Sequence, residues 1–196
     1  MPKVKANSIT MNYDQQGTGE PLILIPYLTA DCACYAFQVA DYARHFTCIS
    51  VDLRGKGESD KPDGINSTEL FADDVAAFMQ VLGVAKAHVS GLSLGAATGM
   101  WLAAKYPDKV KSLSLHSGWT KTGPFIKTVV EGWQVTAKAL GSVPENGHSR
   151  DLSVVPDARI VCGQARVHPV PGRLCSEPPR AASGDLYPGV ECRDRP

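Results

Sequence analysis

The chain has no bias of charge: 20 Lys plus Arg offset 20 Asp plus Glu over 196 residues. It therefore offers no broad electrostatic handle for nucleic acid or an anionic membrane surface. No apolar run approaches the roughly 18 residues that a membrane span needs. The opening residues Met1-Pro2-Lys3-Val4-Lys5 lead into no apolar leader, so a cytoplasmic location is expected. Six cysteines form no disulfide framework and no C-x-x-C pair, as expected of free thiols in a reducing compartment. A collagen, a coiled coil, a membrane protein and a disulfide miniprotein are excluded. What remains, 43% hydrophobic and 20% charged, matches an ordinary globular protein. Its length allows one domain or a little more, at about 150 residues per domain.

A second set of absences is local. Residues 146–196 contain no Lys, Phe, Trp or Met, but 7 Arg and 7 Pro, whereas residues 1–145 hold 11 Lys and 2 Arg. With one Ile and one Tyr, that tail cannot bury enough apolar area to offset its conformational entropy, and a low-complexity, disordered segment is expected. Its charges, +7 and −6, do not make it a nucleic-acid arm. A change of reading frame explains the switch better than a native extension. Codons compatible with Asn146 to Pro169, read one nucleotide later, permit the string MVIHGIFPWCLTPELYAAKPEYI, which carries the aromatic and apolar residues the tail lacks. Most shifted codons leave several residues open, so the string is permitted, not dictated; no stop codon is forced before Pro196.

The first 145 residues alternate between strand and helix signals. Ser8 to Tyr13 alternates weakly before the turn residues Gln15 to Gly19 and predicts an edge hairpin strand. Leu22-Ile23-Leu24-Ile25 is a continuous apolar run ahead of Pro26, as in a strand covered on both faces. Helical spacing covers Tyr35 to Phe46, and Thr47 to Val51 is a second buried strand. Ser67 is placed to cap a helix that runs to Leu82, with Gly83 closing it. Ala87 to Ser90 enters a third buried strand, and Leu94 to Tyr106 forms a helix stopped by Pro107. Val110 to Leu115 is a fourth core strand, and Thr122 to Leu140 another helix. This rhythm predicts an α/β fold with a mostly parallel sheet.

Gly91-Leu92-Ser93-Leu94-Gly95 fits G-x-S-x-G between an apolar strand and a helix. In that context a serine sits on a strained turn, and the residues two away must be Gly91 and Gly95 to avoid clashes. The turn exposes the Ser93 hydroxyl, and the following helix offers the Leu94 N–H to a developing oxyanion. The bland alternative is a Gly-rich turn without chemistry; the flanking strand and helix favour a nucleophile.

Here the chain resembles the α/β-hydrolase superfamily over about residues 8–145. Asp52-Leu53-Arg54-Gly55-Lys56-Gly57-Glu58-Ser59-Asp60 is similar to the D-x-R-G-x-G-x-S-D segment after the family's fourth strand. Phe71 to Gly83 is similar to the helix leading into the elbow strand, and Tyr106-Pro107-Asp108-Lys109-Val110 resembles the Y-P-x-x-V step into the next strand. In detail the resemblance is to small esterases, enol-lactonases and cofactor-free perhydrolases; the haloalkane dehalogenase and epoxide hydrolase branches carry Asp in place of Ser93. It implies hydrolysis of an ester, lactone or related acyl bond of a small molecule through an acyl-Ser93 intermediate. No cofactor, metal, nucleic acid or membrane is implied. Perhydrolysis, carbon–carbon bond cleavage, or a non-catalytic binding or signalling role are the alternatives.

The sequence departs from that pattern in two ways. Pro26-Tyr27 stands where His-Gly is usual, and alignment makes Leu28 the donor of the second oxyanion N–H. The family also needs an acid and then a histidine after the nucleophile. Only His116, His148 and His168 follow Ser93: His116 reads as a strand-end wall residue, and the other two lie in the polar tail. The chain is thus expected to hold the N-terminal portion of the sheet (1–145) with an out-of-frame tail (146–196), to leave an unpaired strand edge prone to aggregation, and to be inactive. Its substrate and oligomeric state are left open. Asp73-Asp74 reads as a solvated helix face, Cys32 and Cys34 as bare loop thiols, and Trp119, Phe125 and Trp133 as core or acyl-pocket residues. Gly55 and Gly57 make no phosphate loop.

Overall fold

A computed structural model describes residues 1–140 except Ile65; the predicted tail, His148 and His168 lie outside the described residues. Six strands form one sheet: β1 (Lys3–Ala6), β2 (Ile9–Gln16), β3 (Glu20–Ile25), β4 (Phe46–Val51), β5 (Ala87–Leu92) and β6 (Val110–His116). Four helices accompany them: α1 (Ala36–Tyr42), α2 (Thr68–Val81), α3 (Leu94–Lys105) and α4 (Pro124–Leu140). The sheet order is β1-β2-β4-β3-β5-β6, parallel from β4 to β6 and antiparallel where β2 meets β1 and β4. The mostly parallel α/β fold expected from the sequence is the one observed.

Alternation along the central strands sorts the core into two layers. Ile23, Ile25, Ile49, Val51 and Val89 meet Phe71, Val75, Phe78 and Met79 of α2 and Leu94 and Leu102 of α3 in one cluster. Leu22, Leu24 and Cys48 point the other way and pack with Tyr35 and Val39. Both faces of β3 and β4 are therefore covered, which is why their sequences read as continuous apolar runs. The polar residues Ser112, Ser114 and His116 of β6 are all exposed.

Two expectations need correction. The edge strand is β1, and β2 lies inside it. β1 escaped notice because Lys3-Val4-Lys5-Ala6 has too few apolar residues to show a period. The β1–β2 hairpin turns on Asn7 and Ser8, both at positive φ (44° and 64°), the geometry of a two-residue turn that matches strand twist. The helix predicted over Tyr35 to Phe46 is a 3₁₀ turn at Cys32–Tyr35 followed by a two-turn α1, and Phe46 already belongs to β4.

The D-x-R-G-x-G-x-S-D segment proves to be a structural knot. The Asp52 carboxylate accepts from Asn12 Nδ2 (2.8 Å), the Cys32 N–H (2.7 Å) and the Glu58 N–H (2.8 Å). Gly57, at φ 45°, carries no Cβ because one would overlap that carboxylate. Ser59 Oγ donates to the Asp52 carbonyl at 2.8 Å and accepts from the Asn12 N–H at 2.9 Å. Asp60 accepts from the Thr10 N–H at 2.7 Å, which lowers its pKa. Arg54 grips Asp74 with two bonds, Nε to Oδ2 at 2.8 Å and an NH2 bond to Oδ1 at 2.7 Å, while Asn7 Nδ2 donates to the same Oδ1. Asp74 is fully buried, so it is no solvated helix face. Asp73 faces Lys105 and the Tyr106 hydroxyl, tying α2 to α3. Burial excludes water from the Arg54–Asp74 pair, so removing one partner strands the other charge. Asp74→Ala is expected to destabilise the fold by about 3–5 kcal/mol in urea unfolding; a loss below about 1 kcal/mol would show that the pair is not buried in solution.

Candidate functional site

A single residue, Ser93, joins β5 to α3. The chain can reverse in so little space only by leaving ordinary backbone conformations, and Ser93 has φ 54° and ψ −110°. For a residue with a side chain that strain costs on the order of 1–3 kcal/mol and persists only where the surroundings enforce it. They do so here. The Ser93 N–H donates to the His116 carbonyl at 2.8 Å, and its own carbonyl accepts from the N–H groups of Ala96 (3.0 Å) and Ala97 (3.1 Å). A Cβ on Gly91 would overlap the Gly95 carbonyl and come within 2.7 Å of the Ala96 nitrogen. A Cβ on Gly95 would overlap the Ile25 carbonyl and come within 2.8 Å of the Pro26 oxygen. At both glycines the backbone contacts leave no room for a side chain.

This packing sets the start of α3 directly against the end of β3. Leu94 is the first residue of α3, where an N–H has no intrahelical acceptor and the helix dipole adds partial positive charge. The loop after β3 passes alongside: Pro26 is buried, the Ala30 N–H closes a turn onto the Tyr27 carbonyl at 3.1 Å, and Leu28 is 6% exposed. Tyr35 steadies this strand end by donating its hydroxyl to the Ile25 carbonyl at 2.8 Å. Leu28 and Leu94 thus lie on the two backbone segments that meet at Gly95.

Gly118 was not singled out from the sequence, although Ser117-Gly118 is a turn signal. Ser117 has φ 51°, and a Cβ on Gly118 would lie 2.8 Å from that of Ala96. The loop leaving β6 therefore also closes on the first turn of α3. His116 is brought to the elbow by its backbone; its ring Nε2 lies 3.0 Å from Ser114 Oγ, on the exposed face of β6. Among the described residues, no histidine or carboxylate bonds the Ser93 hydroxyl, and no group of three His, Cys, Asp or Glu is arranged to hold a metal.

Phe125 and Trp133 on α4 are 76% and 46% exposed, so neither packs in the core among the described residues. Trp119 is part-buried and donates to Thr122 Oγ1 at 3.3 Å. Cys32 and Cys34 are free thiols, Cys32 buried and Cys34 half-buried, and they lie within the 3₁₀ turn rather than in an irregular loop. Desolvation, with the carboxylates of Asp31 and Asp52 nearby, pushes the Cys34 thiol up to about 12.

Gly95→Ala is expected to cost about 2–3 kcal/mol in urea unfolding, because its methyl meets backbone carbonyls that cannot swing aside. A neutral substitution would contradict the close approach. The raised Cys34 pKa leaves roughly 10³-fold less thiolate at pH 8 than a thiol at 9.0, so iodoacetamide should modify Cys34 slower by about that factor. The folded state disfavours the thiolate, so its stability should fall as pH rises above about 9 towards 12. Alkylation at the rate of an exposed thiol, followed by peptide mapping, would refute this.

Comparison with known proteins follows the same geometry. The family profile described as alpha/beta hydrolase fold matches residues 20–155. That match extends past residue 145, where the composition changes. The chain is 35% identical over 111 residues to 2-(acetamidomethylene)succinate hydrolase of Mesorhizobium japonicum, covering 57% of this chain and 40% of that protein. It is 27% identical over 135 residues to 3-oxoadipate enol-lactonase 2 of Acinetobacter baylyi, covering 68% and 49%. The solved enol-lactonase from Burkholderia xenovorans LB400 superposes with a TM-score of 0.63 at 29% identity, over 71% of this chain and 58% of that one. The chain thus spans about half the length of the curated relatives it matches, and no helix among its described residues is long and apolar enough to cross a membrane. Profile match, sheet order and strained elbow agree, and the chain belongs to the α/β-hydrolase fold family.

Proposed function

We propose that the chain carries the nucleophile half of a serine hydrolase acting on an ester, lactone or related acyl bond of a small molecule. The observation that carries this reading is the one-residue elbow at Ser93, strained at φ 54° beside the Leu94 N–H, which opens α3 without an intrahelical acceptor. In this reading Ser93 Oγ attacks the acyl carbon, and its proton goes to a base that the acid orients. Leu94 and Leu28 N–H groups hold the carbonyl oxygen as it becomes an oxyanion. The alcohol leaves with a proton, and water then cleaves the acyl-Ser93 bond. Relatives named as a succinate-derivative hydrolase and an enol-lactonase support this substrate class. None of these steps calls for a metal or organic cofactor.

The reading also holds that the chain as written is inactive, because the base and acid that would follow Ser93 are not supplied by His116 or by the tail. Residues 146–196 are read as out of frame. The string permitted one nucleotide later would continue the domain in place of the Arg- and Pro-rich tail. Resequencing the source DNA across the codons for Val143 to Arg150 is expected to reveal one inserted or deleted base. The chain made in the restored frame should then hydrolyse p-nitrophenyl esters, and Ser93→Ala in that chain should lower kcat by about 10⁴-fold or more. Ester hydrolysis that survives Ser93→Ala would overturn the assignment of the nucleophile. An intact frame in the source, with activity from the chain as written, would overturn the inactive reading.

A further inference from the structure

At the amino-terminal end of the parallel strands lies a second group of residues with complementary chemistry. Glu20 opens β3, His88 is the second residue of β5 and Ser112 the third of β6, and register places all three on one face of the sheet. His88 Nδ1 lies 2.7 Å from Ser112 Oγ, and His88 Nε2 lies 2.9 Å from Glu20 Oε2. Phe46 packs against the imidazole in a T-shaped contact, with ring centroids 5.6 Å apart and planes at 76°. Lys111 pairs with Glu20, and this contact together with His88 lowers the Glu20 pKa. A carboxylate accepts and never donates, so Glu20 selects the His88 tautomer with its proton on Nε2. Nδ1 is then left as an acceptor aimed at the Ser112 hydroxyl.

Nucleophile, base and orienting acid within hydrogen-bond reach of one another form the signature of an activated hydroxyl. The group is distinct from the elbow. His88 precedes Ser93 by five residues along an extended strand, about 16 Å at about 3.3 Å per residue, and so cannot serve as its base. Ser112 is exposed, so a reagent can reach it from solvent.

We propose that Ser112, with His88 as general base and Glu20 orienting it, is a second covalent site on this chain that captures activated acyl and phosphonyl groups. With a fluorophosphonate, Ser112 Oγ forms the O–P bond, the P–F bond breaks, fluoride leaves and the hydroxyl proton passes to His88 Nδ1. With an activated ester, the O–C bond forms, the alkoxide leaves and His88 returns the proton to it. The site stands independently of the function proposed for Ser93.

The test uses the full chain carrying Ser93→Ala, treated with a fluorophosphonate and mapped by peptide mass spectrometry. An adduct on Ser112 is expected, absent in Ser112→Ala and slower by about 10²-fold in His88→Asn, the scale of one general base. Glu20→Gln should slow it by a smaller factor. Labelling of unmodified Ser112 that is absent, or equally fast without His88, overturns the proposal. Nitrogen NMR of the imidazole tests the arrangement without relying on a variant's folding. A neutral His88 protonated on Nε2 is expected, and one protonated on Nδ1 overturns the proposal.

Discussion

The elbow depends on two backbones approaching closer than any side chain would allow. Gly95 lies against the carbonyls of Ile25 and Pro26, and Gly91 against the carbonyl of Gly95. That contact fixes where α3 begins, how β3 ends and how far Ser93 is raised from the sheet. The strain at Ser93 is a result of this approach. With the helix start and the strand ends held, no relaxed conformation reaches from Leu92 to Leu94 in one residue. The hydrogen bond from Ser93 to the His116 carbonyl adds a third strand to the clamp, so the nucleophile position is set by β3, β5 and β6 together.

A second layer of constraint lies behind the first. Asp52 gathers β2, the loop before α1 and the turn after β4 through its two carboxylate oxygens. Arg54 and Asp74 then fasten that turn to α2. Through the Cys32 N–H, Asp52 also holds the far end of the loop that carries Leu28. The segment that looks most like a site in the sequence, with its charges and glycines crowded into nine residues, serves as scaffolding. The site itself is built from backbone and small residues.

The sequence made the central sheet legible for a plain physical reason. Strands covered on both faces must be apolar throughout, so Leu22 to Ile25 and Thr47 to Val51 announce themselves, and the two glycines around Ser93 mark the elbow between strand and helix. Strand β1 was hidden because an exposed edge needs no apolar pattern. The start of α1 was misplaced because a 3₁₀ turn held by Asp31 and Asp52 overrides the helical spacing of its residues. Asp74 could not be told from its neighbour Asp73, since adjacent positions on a helix point about 100° apart and only the position of Arg54 decides which is buried. The Glu20–His88–Ser112 group was invisible because its members are 68 and 24 residues apart and meet only through sheet register.

The strand order has a consequence for how such a chain comes into being. In the described sheet β2 finds β1, β4 then enters between β2 and β3, and β5 and β6 add in turn on the β3 side. The pairings among the six described strands are therefore complete once His116 has been made, β4 having closed the gap between the first hairpin and β3. The elbow shares this order: the clamp of Ile25, Pro26, Gly91 and Gly95 is in hand before β6 is made, and the Ser93 N–H gains its His116 acceptor only with the last residue of β6.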